Sequence, residues 1–263
     1  MKKGILYLII ALALVSCSTV LLTNRKQLSL VSDSEVLTSS FQSYKQFIDS
    51  VPASSDKVNT ALVKKVGQKM AVVVDTYLKN NGMAADAATY AWEFNLVKDT
   101  AVNAFCMPGG KVVVFDGILP VTKNEVGLAV VLGHEIAHAV AKHSNERMSQ
   151  QMLAQYGAAL TGLAVSNKST ATQAVVNSVY GIGAQYGFML PYSRKHELEA
   201  DRLGLIFLAM AGYDPNQAVT FWERMAAASK GSIPEFMSTH PSDATRIAQI
   251  KQYLPEALTY YKK

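Results

Sequence analysis

The sequence predicts an α+β protein, mainly helical, with a small sheet beside one buried helix. Three observations carry this. Apolar residues recur at steps of three and four over most of the chain. Between Trp92 and Phe115 the pattern switches to alternation. The helix that would contain His134 is flanked by apolar Val130 to Leu132 and Ala139 to Ala141, which buries it.

The elements follow in order. Asp33 to Ser50 reads as a helix, broken by Pro52 to Ser55. Asp56 to Asn81 reads as a long amphipathic helix. Val58, Leu62, Val66, Met70, Val73 and Tyr77 form its stripe, with Lys57, Lys64, Lys65, Gln68 and Asp75 off it and Gly82 as the stop. Trp92, Phe94 and Leu96 alternate with Glu93 and Asn95 as a first strand. Val102 to Met107 and Lys111 to Phe115 give two more, joined by Pro108-Gly109-Gly110. Thr122-Lys123-Asn124-Glu125 fits a capping box and opens a helix running to about His143. Further helices are expected at Asn145 to Val165, Thr170 to Met189, and Ser193 to Ala211 with Gly212 behind it. Pro215 suits the first turn of the next helix. A loop from Gly231 carries His240-Pro241, and a last helix starts near Asp243. Ser169 to Ser193 has no charged residue, but Gln173, Asn177 and Gln185 favour a buried helix over a membrane span.

With 263 residues, about half of them apolar, the chain can bury one sizeable core, with at most a tail besides. Net charge is +5, and Lys2 and Lys3 supply two of those charges. No basic run is interleaved with aromatics, so a nucleic-acid partner is not expected.

The N-terminus reads as an address. Lys2 and Lys3 precede an uncharged apolar stretch, Ile5 to Val15, too short to span a bilayer comfortably. Leu14-Val15-Ser16-Cys17 resembles a bacterial lipobox, with Cys17 as the lipidated mature N-terminus. Several acyl chains anchor stably, at about 0.8 kcal/mol per buried methylene. Ser18 in place of Asp favours outer-membrane sorting, by resemblance to lipoproteins of two-membrane bacteria. The expected division is 1–16 signal peptide, 17–32 lipid anchor and tether, and 33–263 the folded domain. The expected location is the bacterial outer membrane, facing the periplasm. With Cys17 lipidated, Cys106 has no partner and no intramolecular disulfide is expected.

Gly133-His134-Glu135-Ile136-Ala137-His138 contains H-E-x-x-H. On a helix, residues four apart share a face, so both imidazoles can reach one metal ion. Glu135 lies about 100° round the helix and can face the open side of the metal as a general base. The pattern arises by chance in on the order of one percent of chains, so a further ligand must carry the argument. Catalytic zinc takes three protein ligands and leaves one position for water. Ala141 and Ser144 exclude the extended three-histidine pattern, and His143 falls off the His134/His138 face, at what reads as a solvated helix end. Glu197 in His196-Glu197-Leu198-Glu199-Ala200-Asp201 is the better third ligand, with His196 as its rival. Asp201, one turn on, can accept the free ring N–H of a ligand histidine and fix its orientation. Glu199 reads as surface.

H-E-x-x-H followed by Glu197-x-x-Ala200-Asp201 resembles metallopeptidase family 48, whose members work in bacterial envelopes and in the mitochondrial inner membrane. Asn103-Ala104-Phe105, Pro108 to Lys111, Ser193-Arg194, and Thr239-His240-Pro241 with Arg246 match in the family's order, from about Trp92 to Arg246. The resemblance implies a zincin-like (gluzincin) domain that binds one Zn²⁺ per chain and cuts proteins or peptides. It implies that Asn103, Ala104 and Phe105 belong to an edge strand that pairs with substrate backbone. It also implies a role for His240, either facing the oxyanion or occupying the open zinc position in a resting form. The expected net effect of His240→Ala is a loss of turnover. Membrane-spanning helices and C-terminal helical repeats of other members are missing, which places the chain beside LoiP- and BepA-like lipoprotein proteases. The expected role is degradation of misfolded or misassembled envelope proteins. The rival is an assembly chaperone or adaptor with a latent, loop-gated site.

Overall fold

The computed structural model describes residues 17–20, 23–165, 190–228, 240 and 244–262. They fall into two compact units: Met1–Val36 with Lys142–His196, and Leu37–Ala141 with Glu197–Lys263. The expected signal peptide, the expected Thr170 to Met189 helix and the loop around His240 (though not His240 itself) lie outside the described residues. Among the described residues, no helix is long and apolar enough to cross a membrane.

In the first unit, β1 (Cys17–Thr19) and β2 (Lys26–Leu28) pair antiparallel, Cys17 opposite Leu28. The stretch expected to be a bare tether is therefore partly built into structure, with Val20 and Gln27 buried. α1 (Asp33–Ser50) starts in this unit. The chain after β2 is fastened to the start of α6 (His143–Val165). The Leu30 amide donates to Ser149 Oγ, and Asn145 Nδ2 donates to the Val31 carbonyl and to Asp33.

In the second unit, a three-stranded sheet has the order β3-β5-β4. β3 (Glu93–Val97) runs parallel to β5 (Lys111–Phe115), while β4 (Ala104–Met107) runs antiparallel to it. Alternation decides what each face meets. Val113 and Phe115 of β5 pack with Val97, Tyr44, Phe47 and Ile48, so α1 covers this face. The opposite face carries Phe94 and meets α2 (Lys57–Asn80) and α5 (Glu125–Val140). Gly67 makes the approach of α2 possible, since a Cβ there would clash with the Phe94 ring. This turns the helix relative to the stripe read from the sequence. Val63, Val66, Met70, Val74 and Tyr77 are buried, and Val58 is 79% exposed.

α5 starts later than the capping box suggests. Asn124, not Thr122, is the N-cap: its Oδ1 accepts the Gly127 amide at 2.9 Å. Thr122 instead closes a one-turn helix, α4 (Leu119–Thr122), its hydroxyl donating to the Leu119 carbonyl. α3 is another single turn (Ala84–Ala87). α5 ends at Val140, where Lys142 takes φ +55°, so the expected continuation to His143 is cut short. α7 (Leu190–Met210), α8 (Asn216–Ala228) and α9 (Ala244–Leu258) complete the described helices.

Candidate metal centre

α5 and α7 cross at two glycines. A Cβ on Gly204 would lie 3.1 Å from the Gly133 carbonyl and from the His134 amide. Without side chains at this crossing, the helices come close enough for Glu197 and Asp201 to reach His134. The Glu197 carboxylate lies 3.2 Å from His134 Nε2 and 3.4 Å from His138 Nε2. The two Nε2 atoms are 3.1 Å apart. His240 Nδ1 is 3.1 Å from both Glu197 oxygens and 3.2 Å from His134 Nε2. The four residues offer donor atoms that all lie within 4.8 Å of one another.

This donor set fits a zinc-type cation. Ligand bonds of about 2 Å in a tetrahedron put neighbouring donors roughly 3.3 Å apart. The separations of 3.1 to 3.4 Å match. His134 Nδ1 faces Asp201 Oδ1 at 3.0 Å, so the ring donates there and turns a lone pair at Nε2 toward His138 and His240. Two imidazole nitrogens directed at each other satisfy neither; a cation between them satisfies both. Electrostatics agree. Burial and the Arg246 guanidinium act to lower the His134 pKa, yet the Asp201 and Glu197 carboxylates outweigh them and hold it at about 9. The carboxylates thus create a demand for positive charge at this point. Burial also opposes the charge on Glu197, but His138, His134 and His240 hold its pKa well below the usual carboxylate range.

Glu135 does not face the cluster as a ligand. Its Oε1 is buried with no hydrogen-bond partner among the described residues, and His240 Nε2 lies 3.6 Å away. Burial pushes its pKa up, against the pull of His240 and His134.

Other expected residues fall elsewhere. His196 does not enter the cluster: its Nε2 lies 3.1 Å from Glu146, and its ring stacks on His143 at 4.3 Å. His143 is therefore not at a solvated helix end but is buried, as first residue of α6. Glu199 is buried too, not on the surface. Ala104 and Phe105 lie in β4, an outer strand of the sheet. Asn103 just precedes it, its carbonyl accepting the Phe115 amide. Cys106 is a free, buried thiol in the same strand.

Arg246 and Trp222 carry more than the sequence assigned them. Arg246 Nε and Nη2 donate to the two Asp201 oxygens at 2.6 and 2.8 Å, and Nη1 lies 3.1 Å from Glu197 Oε2. The Trp222 ring lies under the guanidinium and edge-on to His134. The available signal was phase. Arg246 shares its helix face with buried Ile250 and Ala257, and a charge in such a stripe marks a buried ion pair.

A buried H-E-x-x-H helix, a glutamate on a second helix facing both of its histidines and a buried carboxylate beside them are the parts of a metallopeptidase domain. The profile of Peptidase family M48 matches residues 59–254, and the chain belongs to that family. The mitochondrial metalloendopeptidase OMA1 of Schizosaccharomyces pombe is 44% identical over 63% of this chain and 48% of its own length. OMA1 of Saccharomyces cerevisiae is 38% identical over 65% of this chain and 50% of its own. The beta-barrel assembly-enhancing protease of Yersinia pestis is 33% identical over 64% of this chain and 35% of its own. The chain thus spans half or less of the length of these relatives. They correct the expected location. These two mitochondrial proteins match at higher identity than the bacterial one, which goes against a bacterial outer-membrane lipoprotein. The lipobox reading rested on a few residues at the N-terminus, whereas the match to the mitochondrial proteins spans most of the domain.

Proposed function

We propose that the chain is a zinc endopeptidase acting on misfolded or misassembled proteins, with His134, His138 and Glu197 as ligands and Glu135 as general base. The observation that carries this is the pairing of a convergent His/Glu donor set with a buried carboxylate whose Oε1 has no hydrogen-bond partner among the described residues. Zinc, when bound, supplies Lewis acidity to the scissile carbonyl and lowers the pKa of water toward ~7. Glu135 takes the proton of the attacking water at Oε1 and passes it to the leaving amine. Its raised pKa brings it nearer to the range in which it can do both. Asp201 holds the His134 ring through Nδ1. Substrate lies extended along β4, whose main chain pairs with β5 on one side only among the described residues.

One observation favours a second, latent state. His240 Nδ1 stands at the fourth corner of the donor set, where three-ligand catalytic sites keep a position for water. In this arrangement His240 occupies the site instead of facing an oxyanion, and the expectation for its removal changes sign. His240→Ala should raise basal cleavage of a short peptide substrate, and a fall of about 10²–10³ in kcat would instead assign it to the oxyanion. The wider reading is tested with a chelator. Cleavage of an unfolded protein should stop on metal removal and return with stoichiometric Zn²⁺; cleavage that persists without metal would refute it.

A further inference from the structure

Arg246 is a fully charged side chain with 4% of its surface exposed. Burying a guanidinium costs several kcal/mol unless its donors are all met, so its partners need an account. One end of the fork grips Asp201, which orients His134. The other end, Nη1, lies 3.1 Å from Glu197 Oε2 and donates to the His240 carbonyl at 3.2 Å. One guanidinium thus touches the residues behind three of the four cluster members. Its face is held as well: the Trp222 ring centroid is 3.8 Å from the guanidinium carbon, a close cation–π contact. Trp222 also meets His134 edge-on, with ring centroids 5.3 Å apart at 73°.

Charge points the same way. Glu135, Glu197 and Asp201 place three buried carboxylates here. A divalent cation offsets two of these charges and the guanidinium the third. A lysine would supply the charge but not the fork, which reaches acceptors on three residues at once.

We propose that Trp222 and Arg246 act as one positioning unit for the metal ligands, the indole face holding the guanidinium and the guanidinium holding Glu197, Asp201 and the His240 backbone. This rests on the metal reading above. Trp222 meets His134 nearly at right angles as well as stacking on Arg246, and the positioning proposed acts through the ring face that holds the guanidinium.

The test is zinc affinity of the purified full chain, by competition with a chromogenic chelator, alongside the melting temperature of the metal-free protein. Trp222→Phe keeps a ring face and should bind Zn²⁺ within about threefold of wild type, whereas Trp222→Leu should bind about tenfold or more weakly, as for a lost outer partner. Equal affinities for the two variants would overturn the proposal while leaving the metal site standing. If Trp222→Leu does not fold, Arg246→Lys decides. It keeps the charge without the fork and should weaken Zn²⁺ binding by about 10–100-fold; wild-type affinity would overturn the proposal. A wild-type chain that binds Zn²⁺ no better than His134→Ala would refute the metal reading itself, and the positioning role with it.

Discussion

Two buried polar clusters in this protein use the same residue types to different ends. In the first unit, Glu146 is fully buried, accepts two hydrogen bonds from Arg25 at 2.9 and 2.7 Å and faces His196 at 3.1 Å. In the second unit, Glu197 is surrounded by His134, His138, His240 and Arg246. Around Glu146 the donors point at an acceptor, and the cluster is closed by its own hydrogen bonds. Around Glu197 three imidazole nitrogens converge on one another as well as on the carboxylate. A surplus of lone pairs directed at one point, rather than burial or residue type, separates a candidate metal centre from a structural ion pair.

Substitutions can break this contrast. The largest effect is expected at Glu197. Glu197→Ala removes a ligand, so zinc should be lost at chelator concentrations that wild type withstands, as read by metal analysis after dialysis. Asp201→Asn should act less strongly. It keeps the volume but weakens the hold on His134, and zinc affinity should fall by about 10–100-fold in a chelator competition. Glu146→Gln should leave zinc affinity unchanged and lower stability by about 1–3 kcal/mol, because Arg25 and His196 lose a charged partner. Chemical denaturation measures this. The sign with pH follows. Burial raises the Glu146 pKa, but His196 and Arg25 outweigh it and the folded value is depressed. The difference between wild type and Glu146→Gln is therefore full above the ordinary carboxylate range and shrinks as pH falls through the depressed folded value. A zinc-binding loss in Glu146→Gln would erase the distinction between the clusters.

Much of the second cluster was legible in the sequence, because its key pairs lie one helical turn apart. His134/His138 and Glu197/Asp201 are local patterns, and a local pattern survives any tertiary arrangement. The strands at 93–97 and 111–115 were legible for the same reason. What tertiary packing decides was not. The buried face of α2 turns away from Val58 because Phe94 packs into the space over Gly67. His143 and Glu199 look like surface residues by type, yet both are buried. The strand order β3-β5-β4 also had no local signal: the Pro108-Gly109-Gly110 turn joins β4 to β5, but the parallel pairing of β3 with β5 is long-range. Arg246 and Trp222 lie outside the H-E-x-x-H helix and the Glu197 helix. Their link to the site exists only once α8 and α9 are packed together.

The central claim is that a carboxylate outside the metal's ligand set performs the proton transfer. Glu135→Gln tests it most directly, with cleavage of an unfolded casein-type protein and zinc content measured on the same preparation. The account predicts a fall in turnover of about 10²–10⁴-fold with zinc retained in full. Undiminished cleavage, or loss of zinc together with activity, would contradict it.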